Sequence, residues 1–162
     1  DELGYILGVV PQGAWKPQSA AQTKTRDDVF SLDTGRMTIK QINAMLKHLP
    51  LDISFVDNND EVLYYSDTTG RFFPRSPGVI GRKVQNCHPP KSVHLVQEII
   101  DAFRTGRKNS AQFWINLRGK TLHIRYFAVR DEGGAYLGTL EVTQDITEIK
   151  KIKGEKRLLG DA

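Results

Sequence analysis

One cysteine, Cys87, is all the chain carries, so no disulfide can form within it. A reducing compartment fits, and the expected location is the cytoplasm. Long apolar runs are also missing. The longest near the start, Tyr5 to Val10, is broken by Gly8 and is too short for a signal-peptide core or a membrane span, so no membrane is expected as a partner. Internal repeats and low-complexity tracts are absent. Neither Arg104-Thr105-Gly106-Arg107-Lys108 nor Gly133-Gly134 makes a phosphate-binding loop. The acidic turn of Asp57, Asp60 and Glu61 lacks the glycine and distal glutamate of a calcium loop. No catalytic set and no metal site emerge, and the chain is expected not to be an enzyme.

What is present suits one domain with flanking segments: 162 residues, of which 39% are hydrophobic, enough for a core without disulfides or metals. The chain begins with Asp1 rather than Met, which reads as an excerpt of a longer protein. The formal net charge is +4, and Lys150, Lys151, Lys153, Lys156 and Arg157 crowd the end. We read that run as a solvated helix face rather than a nucleic-acid surface.

Residues 1–36 read as a linker or upstream segment, because Gly, Pro, Gln, Ser and Ala dominate Pro11 to Thr23. Within it, Leu3 to Val10 reads as a short strand or a docking segment. Order begins at Thr38. Thr38 and Gln41 have capping-box spacing, Met37 and Ile42 fit a hydrophobic staple, and Ile42, Met45, Leu46 and Leu49 form one helical stripe that Pro50 ends. A strand around Ile53 and Phe55, a turn at Asp57 to Asp60 and a return strand to Tyr65 follow. The stretch to Pro90 is irregular, with room only for short helical turns. A second helix is expected from an N-cap at Ser92, with Val96, Ile99, Ile100 and Phe103 as its buried stripe and Gly106 as its C-terminal cap. Three strands then run over residues 112–117, 121–130 and 135–143. Asp145 and Glu148 have capping-box spacing again and predict a C-terminal helix with Ile146, Ile149 and Ile152 as a thin apolar face. The fold class is therefore α+β: a five-stranded antiparallel sheet with helices on one face and flanking N- and C-terminal helices. The domain spans 37–150, and 151–162 is a C-terminal helix or tail.

That order, and the segments Asp52-Ile53-Ser54-Phe55-Val56-Asp57, Val79-Ile80-Gly81-Arg82-Lys83-Val84 and Gly138 to Thr147, resemble a PAS domain. More narrowly, Asn86-Cys87-His88-Pro89-Pro90-Lys91-Ser92, Phe113-Trp114-Ile115 and Ile124 to Arg130 resemble the PAS module that ends bacterial DUF438 proteins. The resemblance implies a sensory or regulatory module that holds a small ligand or a partner and relays its state through the terminal helices. It also implies upstream DUF438 and hemerythrin-like domains in the same protein, and a homodimer. The helices at Thr38 to Leu49 and Ile146 to Leu159 are the natural surfaces for dimerisation or relay.

Large strand residues give the pocket candidates: Phe55, Tyr64, Phe113, Ile115, Tyr126 and Leu140 are expected to face inward, with Arg125 or Tyr126 as polar anchors. Cys87, His88 and His94 are the candidates for haem, metal or redox chemistry. Against them, Cys87-His88 also reads as a polar turn, and His94 shares a helix face with Glu98 and Asp101. Flavin photochemistry of the light-sensing type needs a longer cysteine motif than Asn86-Cys87 provides, so the cofactor stays open between haem, flavin and none. Asp145, Ile146 and Thr147 are the expected signal exit. Two other readings stand beside the ligand sensor: a haem or redox sensor, and a ligand-free dimerisation domain whose core is full.

Overall fold

The first strands, β1 (Val29–Leu32) and β2 (Gly35–Thr38), form a two-stranded antiparallel hairpin. Residues 29–36 are thus strand and turn, not plain connector. Four-residue strands with Val29 and Leu32 exposed show too little alternation to be read from sequence. The computed structural model describes residues 27–68 and 71–158, so the reading of Leu3–Val10 lies outside the described residues.

Helix α1 (Ile39–His48) starts on the expected capping box. The Thr38 hydroxyl accepts from the Gln41 amide at 3.1 Å, and the Gln41 side chain accepts from the Thr38 amide at 2.9 Å. Leu49 turns extended ahead of Pro50 and ends the helix.

Five strands build the sheet: β3 (Asp52–Asp57), β4 (Val62–Tyr65), β5 (Ser110–Leu117), β6 (Lys120–Arg130) and β7 (Tyr136–Asp145). Their order is β4-β3-β7-β6-β5, every pair antiparallel. The expected sheet and the α+β class hold. Arg118 and Gly119, with φ of 51° and 76°, make the tight turn between β5 and β6, where both central residues need the left-handed region. Between β4 and the second helix, Pro and Gly leave room for two 3-10 turns, Pro77–Val79 and Val84–Cys87.

Helix α2 (Pro90–Arg104) begins differently from expectation. Pro89 is its N-cap and Pro90 its first residue, so Ser92 lies inside the first turn and its hydroxyl donates back to the Pro89 carbonyl at 3.2 Å. Proline has no N–H to satisfy and its φ suits that position, which makes a side-chain cap unnecessary. Ile100, Ala102 and Phe103 are the buried residues of α2. The core has two parts: Val56, Val62, Val84 and Ile100, and Phe73, Leu122 and Ile124.

The predicted C-terminal helix does not form among the described residues. The chain makes one 3-10 turn, Ile149–Lys151, and Glu148 gives it no side-chain cap. Ile152 is 72% exposed, so the thin apolar face has nothing to pack on, and a short helix without packing is marginal in water. Gly154 weakens it further.

Sheet faces also correct the sequence reading. Val56 lies in the core with Val84 and Ile100 on the α2 side, so Asp52, Ser54 and Val56 share that inner face. Phe55 pairs with Tyr64 and Leu140 on the opposite face. These three are therefore not inward. The parity of β3 is set by the small polar residues Asp52 and Ser54, both buried, and the larger apolar neighbours take the outer side. Arg125 pairs with Val142 and also falls on the outer face, donating to Gln144 at 3.2 Å.

Candidate functional site

Between α2 and the inner sheet face lies a cavity of about 30 Å³. Val56, Tyr126, Thr139 and Glu141 line it from the sheet, Val84 and His88 from the segment before α2, and Val96, Ile99 and Ile100 from α2. A single water needs about 10–15 Å³ on this scale, so the space takes a water or two. Of the six pocket candidates only Tyr126 lines it. Ile115 packs beside Leu122 and Ile124, and Phe113 stacks on Tyr126 at 6.1 Å but is 39% exposed at the sheet edge.

Glu141, a lining residue of this cavity, belongs to an ion pair that the sequence did not reveal. Arg75 Nη2 lies 3.4 Å from Glu141 Oε2, with the two side chains only 8% and 13% exposed. Arg75 Nε is buried and has no hydrogen-bond partner among the described residues. A signal existed: Thr139, Glu141 and Thr143 fall at period two in the strand that pairs with both β3 and β6, which marks a polar row on its inner face. The arginine could not be paired with it, because the irregular stretch around residue 75 has no period to read.

Arg71 organises the rest of the inner rim. It donates to Ser66 Oγ at 3.0 Å and to the Phe73 carbonyl at 3.3 Å, and lies 5.5 Å over the Tyr65 ring. Burial pushes its guanidinium below the ordinary value, with Asp52 pulling it back up. Asp52 accepts from the Thr68 hydroxyl and the Phe72 amide, both at 2.8 Å, and Ser66 Oγ accepts from the Ile53 amide at 2.9 Å. The buried polar groups of β3 are thus satisfied by the segment that follows β4.

His88, Cys87 and His94 are not brought together on the cavity. His88 reaches it, and its Nδ1 lies 2.9 Å from the Val84 carbonyl. A carbonyl only accepts, so Nδ1 carries the proton, and in the neutral ring Nε2 is the acceptor. Cys87 is half-buried against the Val56 cluster, with its sulfur 3.7 Å from the Lys83 carbonyl. Burial pushes its thiol up, and Arg75 and Arg82 offset this in part, which makes a poor thiolate. His94 is exposed on α2 and does not line the cavity.

At the end of β7, Asp145 Oδ1 accepts from the Thr147 amide at 2.9 Å and from its hydroxyl at 2.5 Å, while Oδ2 lies 3.0 Å from Lys120 Nζ. The Thr147 hydroxyl bonds hold the Asp145 carboxyl down to about 2, helped by its amide and by Lys120. Thr147 Oγ1 in turn accepts from the Thr121 amide at 2.8 Å, and the Ile146 amide donates to the Thr121 carbonyl at 2.9 Å. The exit residues meet, but they staple β7 to the start of β6 instead of opening a helix.

A family model described as a PAS domain matches residues 42–147. Among solved structures, a C-terminal domain from Streptococcus mutans is similar at 34% identity, over 80% of this chain and 100% of that one, with a TM-score of 0.76. VqmA from Vibrio cholerae, a LuxR-type receptor, is similar in fold at 22% identity, over 70% of this chain and 54% of that one, with a TM-score of 0.51. No curated protein matches the chain. No helix among the described residues is long and apolar enough to cross a membrane.

Proposed function

The chain belongs to the PAS domain family, and from that premise we propose that it is a sensory module whose signal is a small molecule taken up beneath α2. The observation that carries this reading is the Arg75–Glu141 pair against the cavity. A buried ion pair is a poor way to stabilise a core, since apolar residues of the same volume do as well or better. An orphaned guanidinium nitrogen adds to its cost. Such a pair makes sense where an incoming polar group completes it.

At about 30 Å³ the cavity describes the closed form. A larger ligand enters only by moving α2 or the 71–89 segment outward, and that difference in contacts is what lets a ligand shift a conformational equilibrium. Glu141 and Asp145 lie on the same strand, so displacement at the cavity reaches the Thr147 staple through β7. In this reading the module works as a homodimer through α1, where Met45 is exposed. The Asn86 to Ser92 likeness supports DUF438 and hemerythrin-like domains upstream, and the family premise supports a non-enzymatic role in the cytoplasm.

Native mass spectrometry of the chain, with its visible spectrum, is the test. The expected result is a dimer carrying a small colourless adduct that Glu141→Gln loses. A protein that carries no adduct, and whose melting no metabolite shifts, would favour a ligand-free dimerisation domain, the reading that the small cavity supports. The haem or redox reading draws on His88 alone of its three residues, and a Soret band after haem addition would revive it.

A further inference from the structure

Strand β5, Ser110-Ala111-Gln112-Phe113-Trp114-Ile115-Asn116-Leu117, is the outermost strand beside β6 and contains no charged residue, proline or glycine. Free edges are usually blunted by charge or proline, because their open backbone groups pair with any suitable strand. The open side can be identified. The Asn109 carbonyl accepts from the Ala128 amide at 2.9 Å, in register with the β5–β6 ladder. Odd-numbered residues of β5 therefore bond β6, and Ser110, Gln112, Trp114 and Asn116 turn their amides and carbonyls outward. Trp114 is 68% exposed on this edge. Cations stand at both ends, Arg107 and Lys108 before the strand and Arg118 after it.

The cations select the occupant. A second β5 laid antiparallel would set Lys108 of one copy opposite Arg118 of the other, at both ends, and like charges across a pair are destabilising. A strand that is uncharged along its length and acidic at one end fits instead. The chain contains one outside the described residues: Asp1-Glu2 followed by Leu3-Gly4-Tyr5-Ile6-Leu7-Gly8-Val9-Val10. Its uncharged part matches the 8 residues of β5, and Pro11 then lacks the N–H to continue a ladder. Residues 11–26 reach about 50 Å when extended, enough to cross a domain of this size. We propose that Leu3–Val10 adds to the β5 edge as an antiparallel sixth strand, with Asp1 and Glu2 beside Arg118.

Residue-resolved hydrogen exchange on the full chain tests this. The amides of Gln112, Trp114 and Asn116 are expected to be protected like those of Phe113 and Ile115. Ile6→Pro removes a donor from the added strand, and Glu2→Lys reverses its end charge. Either should speed exchange at the outward amides, by about tenfold or more for Ile6→Pro, while Phe113 and Ile115 stay protected and report an intact fold. Unprotected outward amides in the unaltered chain would overturn the proposal. So would protection that survives Ile6→Pro; if that protection also grows with protein concentration, a second copy holds the edge.

Discussion

Replacing Glu141 by leucine would leave the Arg75 guanidinium buried without its counter-charge. At 3.4 Å, and at the effective dielectric of about 20 that suits protein sites, the attraction lost is about 5 kcal/mol. Removing one partner of a buried pair costs about 3–5 kcal/mol in practice, because the other charge keeps its desolvation penalty. For a chain of this length that lowers Tm by about 10 °C. Arg75→Met combined with Glu141→Leu removes both charges and is expected to lie within about 1 kcal/mol of the unaltered chain, or above it. Urea unfolding followed by circular dichroism gives all four corners of the cycle, with a coupling of about 3 kcal/mol expected between the positions. A single replacement costing under about 1 kcal/mol would show that water reaches the pair, and the argument for a buried polar site would fall with it.

Gly138→Ala is expected to destabilise by about 3 kcal/mol, since a Cβ there would lie 2.2 Å from the Val56 carbonyl oxygen and 2.7 Å from the Phe55 ring; an unchanged urea midpoint would mean that β7 and β3 separate more easily than their register suggests. The Asp145 carboxyl titrates lower folded than unfolded, so its contribution is complete above about pH 4 and is lost as pH falls through about 2. The Thr147 amide shift, followed by NMR, should report that lower midpoint, and a midpoint near 4 would show the staple open in solution.

The local elements were legible because their causes are local. The Thr38–Gln41 box needs only a three-residue spacing, the β5–β6 turn needs residues that tolerate positive φ, and the α2 stripe needs its 3.6-residue period. The predicted C-terminal helix shows the limit. The capping spacing of Asp145 and Glu148 forms no cap, since a helix that short needs a surface to pack on, and the fold offers none to Ile149 and Ile152. Asp145 instead bonds Thr147, two residues on, while the Thr147 hydroxyl takes up the Thr121 amide 26 residues away.

The chain by itself determined the order of α1, the five sheet strands and α2, the antiparallel sheet, and the presence of a single thiol. Tertiary structure decided which face of the sheet is inside. Phe55, Tyr64 and Leu140 alternate as core residues should, yet β3 turns Asp52 and Ser54 inward, because Arg71, Thr68 and the Phe72 amide come from a distant loop to satisfy them. The Arg75–Glu141 pair joins residues 66 apart, one of them in a segment with no period. Hydrophobic alternation carries no information about partners that far along the chain, so the chemistry of the inner face became visible only once the loop was laid across the sheet.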